Sequence, residues 1–252
     1  MASPRLDLIS TKIIKPSSPT PLIHRIQKLS IFDQLNPCSN YMSFGMFFPK
    51  QYNPTLPVDR THISTILENS LSRALTSYYP LAGTIRDDGL HVECNDVGAK
   101  FLQAKIDCPM SEINHRSSEA EDLVFPKDLP WTPSKENLVV AQLNHFNCGG
   151  IAISVCVSHK IVDGSSMANF INHWSTMARN PSAPIPSFQF IGGSIFLLEN
   201  EIFLNGKKAK VLSPSKAYLK ALSLWETIES EDDPLPLGPN PTVAQMKIYE
   251  DA

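Results

Sequence analysis

One short stretch has residue types and spacing suited to chemistry: Ser158-His159-Lys160-Ile161-Val162-Asp163-Gly164-Ser165-Ser166. Imidazole titrates near neutral pH, so His159 can take a proton from an alcohol or amine and return it later. Asp163 follows four residues on, and then comes Gly164, which gives the chain freedom to turn sharply. Three chemistries use such residues. His159 can act as a general base by itself. Cys156, His159 and Asp163 are metal ligands by type, though no fourth ligand stands at a familiar spacing. His159, Asp163 and Ser165 or Ser166 have the composition of a hydrolase triad, without the strained Gly-x-Ser-x-Gly turn. The chain has seven histidines, so a single His-x-x-x-Asp spacing decides little.

The elements around this stretch must place it at the end of a strand and the start of a helix. Ile151, Ile153, Val155 and Val157 alternate with Ala152, Ser154, Cys156 and Ser158, as on a strand with two distinct faces. Leu138 to Phe146 precedes it across the turn signal Asn147-Cys148-Gly149-Gly150, which predicts a hairpin leading to His159. Ser165 to Arg179 reads as a helix with Met167, Phe170, Ile171, Trp174 and Ala178 on its buried face. Ser165 or Ser166 can cap it, and Asn180-Pro181 ends it. Asp59 to Tyr78 reads as a second helix, with Ile63, Ile66, Leu67, Leu71, Ala74, Leu75 and Tyr78 on one face. Asp59 or Thr61 can cap that helix, and Pro80 stops it.

Shorter strands are expected at Asp7 to Ile14, Ile26 to Ser30, Leu90 to Cys94 and Ala99 to Ala104. Residues 107–137 read as a long polar surface connection with a short helix. Phe44, Phe47 and Phe48 read as core rather than a ligand box. Beyond Pro186 the pattern weakens, with strands expected in Ile191 to Leu204 and a helix in Ser213 to Glu229.

The composition narrows the functional classes. The chain has 252 residues, 42% hydrophobic, with a net charge of −3. Bulk charge therefore favours neither nucleic acid nor an anionic membrane. No segment reaches the roughly 20 apolar residues of a membrane span, and Met1 to Lys15 lacks the apolar core of a signal peptide. Five cysteines with no Cys-x-x-Cys pair suggest neither a disulfide frame nor a zinc ribbon, and fit a cytoplasmic protein.

Several motifs in a fixed order give these residues a context. Pro16 to Pro21, Leu29-Ser30-Ile31-Phe32-Asp33-Gln34, Tyr78-Tyr79-Pro80-Leu81-Ala82-Gly83-Thr84-Ile85-Arg86 and Val92 to Ala99 come first. Cys148-Gly149-Gly150, then His159-Lys160-Ile161-Val162-Asp163-Gly164, then Phe170 and Trp174 follow. Together they resemble the plant BAHD acyltransferases over residues 8–186, and most closely their branch acting on alkaloid or terpenoid alcohols.

The resemblance implies an α/β fold, a two-layer sandwich like a chloramphenicol acetyltransferase domain. It implies an N-terminal acyltransferase domain at 1–186 and a poorly alignable segment at 187–252. It also implies acyl transfer from acyl-CoA to an alcohol or amine, with His159 as base and Asp163 and Gly164 supporting the loop. In the family, that carboxylate pairs with an arginine from the other part of the chain. The resemblance gives acyl-CoA as co-substrate, no bound cofactor or metal, and a small-molecule acceptor as partner. Tyr41, Phe44 and Trp174 are candidates to border the acceptor pocket.

The family's Asp-Phe-Gly-Trp-Gly signature does not occur here, and no coenzyme-binding residue carries over. A non-catalytic fragment or splice form is the alternative. For a chain lacking the second domain, self-association through an exposed domain interface is expected.

Overall fold

The computed structural model describes residues 4–37, 39–50, 60–115, 123–127, 137–185, 201–204 and 207–210. The expected helix at Ser213 to Glu229 and the proposed cap Asp59 lie outside them. By contacts the chain divides into two units, Met1–Phe190 and Ile191–Ala252. In the second, β9 (Glu201–Leu204) and β10 (Lys207–Lys210) pair antiparallel.

The first unit is built on a five-stranded mixed sheet. Its strands are β1 (Leu6–Ile14), β3 (Tyr41–Phe48), β6 (Ala99–Ile106), β7 (Val139–Phe146) and β8 (Ile151–Ser158), in the order β1-β6-β7-β8-β3. The predicted hairpin is present, with β7 and β8 antiparallel. β6 and β7 run parallel, the only parallel pair in this sheet. A smaller sheet, β2-β5-β4, joins Ile26–Lys28, His91–Glu93 and Thr84–Ile85.

Two helices cover one face of the large sheet. α2 (Arg60–Ser77) turns Leu67, Leu71, Ala74 and Leu75 inward. α4 (Gly164–Arg179) contributes Met167, Phe170, Ile171, Trp174 and Met177. Met177 takes the fully buried place expected of Ala178, which is only half-buried. Facing them are Phe101, Val139, Ala141, Leu143, Ile153, Val155 and Val157. The indole N–H of Trp174 donates to Leu67 O at 3.1 Å and Ser70 Oγ at 3.0 Å, which ties α4 to α2. Thr61 lies inside α2 rather than capping it.

The other face is also covered, which alternation on β8 alone does not announce. α3 (Met110–His115) and residues 123–127 lie over it, so all eight residues of β7 are buried. Buried polar groups need partners. Gln142 Nε2, Asn144 Nδ2 and Ser154 Oγ all donate to Val124 O, at 3.2, 2.8 and 2.6 Å. The polar residues of this face thus bind a covering strap. The phenylalanines of edge strand β3 are less enclosed than expected: Phe44 and Phe47 are half-buried against opposite faces, and Phe48 is 46% exposed.

Gly98 holds a tight junction with β1. Its φ is +100°, and a Cβ there would stand 2.5 Å from Ile14 O. Gly89 has φ +66° but open space around it. Gly98→Ala should therefore destabilise by more than the roughly 1–3 kcal/mol of backbone strain alone, while Gly89→Ala loses only that strain. Urea unfolding of both variants checks this, and equal losses would refute the close-approach argument.

Candidate active site

Where β8 leaves the sheet, its backbone groups find partners on three segments. Ser158 N–H donates to Leu138 O at 2.9 Å, and His159 N–H donates to Asn40 O at 2.9 Å. Asn36 Nδ2 donates to His159 O at 3.3 Å. Ile161 N–H returns to Ser158 O at 3.2 Å, closing the turn.

The imidazole of His159 is half-buried, and its Nδ1 lies 2.9 Å from Val162 O. A carbonyl only accepts, so Nδ1 carries a proton, and in the neutral ring Nε2 is the nitrogen with the lone pair. Val162 is buried in the helix-side core, so the acceptor that sets this tautomer is itself held. The arrangement selects one tautomer of the neutral ring.

No hydrogen bond or ion pair joins Asp163 to the ring. It is the N-cap of α4, with Oδ1 accepting Ser166 N–H at 2.7 Å. The expected cap, Ser165 or Ser166, is thus corrected: Ser166 supplies the N–H, and Asp163 is the acceptor. Among the described residues Asp163 makes no ion pair with an arginine. Gly164 is the first residue of the helix, and its φ lies outside the left-handed region. A Cβ there would meet only Met42 Cε at 3.8 Å, so the turn does not require glycine.

The alternative chemistries find their residues employed elsewhere. The Cys156 thiol is buried and lies 3.2 Å from Ser43 Oγ. Cys156, His159 and Asp163 form no metal-ligand cluster, and no such cluster occurs among the described residues. The hydrolase triad is not assembled, because the orienting partner of His159 is Val162 O rather than Asp163.

The pocket candidates separate. Tyr41 packs on the strap side and donates to Asn137 O at 3.3 Å. Phe44 and Trp174 belong to the helix-side core, and Trp174 is only 3% exposed. Sequence reasoning missed Asn36, Asn40 and Lys160. No local pattern marks a residue whose partner is a distant backbone group.

A model of the family described as Transferase family matches residues 5–204. The chain belongs to the Transferase family. This is the BAHD family indicated by its motifs. Over 202 residues it is 45% identical to acylsugar acyltransferase 3 of Solanum lycopersicum, covering 79% of this chain and 45% of that protein. The crystal structure of vinorine synthase superposes with a TM-score of 0.67 at 30% identity, covering 79% of this chain and 51% of that one. TRI101 of F. sporotrichioides, solved as a complex with coenzyme A and T-2, shares the fold at a TM-score of 0.55 and 20% identity, covering 71% and 46%. The chain spans about half the length of the relatives it matches. The α/β sandwich of this transferase family is therefore the fold that the motifs implied.

Two predictions follow from the geometry. Asp163→Ala should cost about 1 kcal/mol of stability through the lost cap, and Asp163→Asn much less, because asparagine caps equally well. Thermal unfolding of both variants checks this; a larger loss in Asp163→Asn would require an interaction specific to the charge. The second concerns the thiols. Burial pushes Cys156 up to about 11, partly opposed by its bond to Ser43, and Cys94 up to about 12, with Asp96 adding to burial. At pH 8 the Cys156 thiolate is then about one part in a thousand. Iodoacetamide should label exposed Cys148 and spare Cys94, Cys108 and Cys156 in the native protein, as read by peptide mass spectrometry. Rapid native labelling of Cys156 would contradict its placement.

Proposed function

We propose that the protein transfers an acyl group from acyl-CoA to a hydroxyl or amine of a plant specialised metabolite, with His159 as general base. The observation that carries this reading is the Nδ1···Val162 O contact, which reserves Nε2 for proton transfer. Nε2 takes the acceptor's proton as its oxygen or nitrogen attacks the thioester carbonyl. The tetrahedral oxyanion then collapses, the carbon–sulfur bond breaks, and the protonated imidazole returns the proton to the departing thiolate. Atoms balance as an acylated acceptor and free coenzyme A, with no covalent acyl-enzyme.

Asp163 serves here by capping α4 and so steadying the turn, not by relaying a proton. The relatives support the substrate classes: one is an acylsugar acyltransferase, and another was crystallised with coenzyme A and T-2.

His159→Ala in the full-length protein should lower the rate of acyl transfer by about 10²- to 10⁴-fold, the usual contribution of a general base. Acceptor binding should change far less. Coenzyme A release with a panel of alcohols and amines measures the first, and calorimetry the second. Near wild-type turnover in a folded His159→Ala would sink the mechanism.

A further inference from the structure

Lys160, next to the proposed base, is 4% exposed, an uncommon position for an ammonium group. Its Nζ lies 3.1 Å from Asn36 O, 3.2 Å from Gln34 O and 3.5 Å from Asp33 O. An ammonium has three N–H donors and no acceptor, so three carbonyls match its capacity. Burying such a charge is costly unless it is fully hydrogen-bonded.

The acceptors come from the last turn of α1 (Ile31–Leu35) and its C-cap, Asn36. Carbonyls in the last turn of a helix have few partners within it, and the helix dipole favours a cation there; of the three, Asp33 O also accepts the N–H of Asn36 at 3.3 Å. The Asp33 carboxylate is occupied elsewhere, accepting Ser30 N–H at 2.9 Å in a capping box. Lys160 therefore binds this segment through its backbone.

The same segment holds His159. Asn36, whose carbonyl binds the ammonium, also donates its side-chain amide to His159 O. Asn40, four residues on, accepts His159 N–H. Bonds at both the N–H and the C=O of His159 fix its backbone, and with it the point and direction from which the ring must reach Val162 O. We propose that Lys160 is a positioning residue for His159, its buried ammonium securing residues 33–36 so that they clamp the backbone from which the imidazole projects. This rests on the general-base reading of His159 and deepens it.

The test uses full-length protein labelled with 15N-histidine, at a pH where the ring is neutral. Wild type should show a protonated Nδ1 and an unprotonated Nε2 for His159. Lys160→Met, which keeps the stem and removes the donors, should give averaged ring signals. It should also lower kcat by about 10- to 100-fold while KM changes less than about threefold, since small misplacement of a reacting group costs that much.

Arg73→Ala is the stability control. It releases the carbonyls of Pro181 and Ala183 beyond the C-terminal end of α4. At a comparable loss of melting temperature it should leave the ring signals and kcat unchanged. If Lys160→Met does not fold, Lys160→Gln, which retains amide donors, carries the test with an intermediate effect. Wild-type ring signals and kcat in a folded Lys160 variant overturn the proposal, as does an equal ring change in Arg73→Ala. The ring spectrum needs no substrate. Loss of the tautomer in Lys160 variants of a protein that transfers no acyl group would therefore reject the function and keep the positioning role.

Discussion

Everything about His159 depends on how backbone groups are satisfied where β8 leaves the sheet. Inside the sheet each N–H and C=O has a ladder partner; past Ser158 the ladder ends, and an unpaired buried group is costly. The chain meets that demand with Leu138 O, Asn40 O and the Asn36 amide, while Ser158 O takes the N–H of Ile161. The strand end becomes a fixed point because its backbone polar groups cannot be left open. The imidazole inherits that fixity through Val162 O.

The sheet can serve as a platform because both of its faces are covered. Apolar side chains of α2 and α4 fill one side. On the other, three side-chain donors converge on Val124 O and hold a strap over β7 and β8. A fully satisfied buried polar cluster of this kind allows one arrangement of the strap, where an apolar contact would tolerate several. Between the two layers, β8 has little room to shift, which matters for the proton transfer proposed for His159, whose partners must lie within hydrogen-bond distance.

Labour within the His159–Asp163 turn is divided. A carbonyl sets the histidine tautomer, and the carboxylate four residues on anchors the helix that follows. An imidazole oriented by a neutral carbonyl has its tautomer fixed without a carboxylate directly against the ring. The ring's acceptor, Val162 O, belongs to the residue next to the cap Asp163, so the start of α4 and the placement of the His159 ring share one short turn.

By itself the sequence determined the local elements and singled out His159 as the candidate base. Period-3.6 apolar spacing placed α2 and α4, period-2 alternation with a glycine turn placed the β7–β8 hairpin, and the ordered motifs pointed to the family. These are properties of neighbouring residues, so they survive in a linear string. Tertiary structure decided what depends on distant partners. The parallel pairing of β6 with β7 joins segments more than 30 residues apart, and the Gln142–Asn144–Ser154 cluster becomes interior only because residues 123–127 cover it. Asp163 rather than Ser165 or Ser166 became the cap because the helix begins one residue earlier than the apolar period shows. Lys160 reads in sequence like any solvated lysine; only the fold sets three backbone carbonyls around its ammonium, and no local rule encodes where such a set will form.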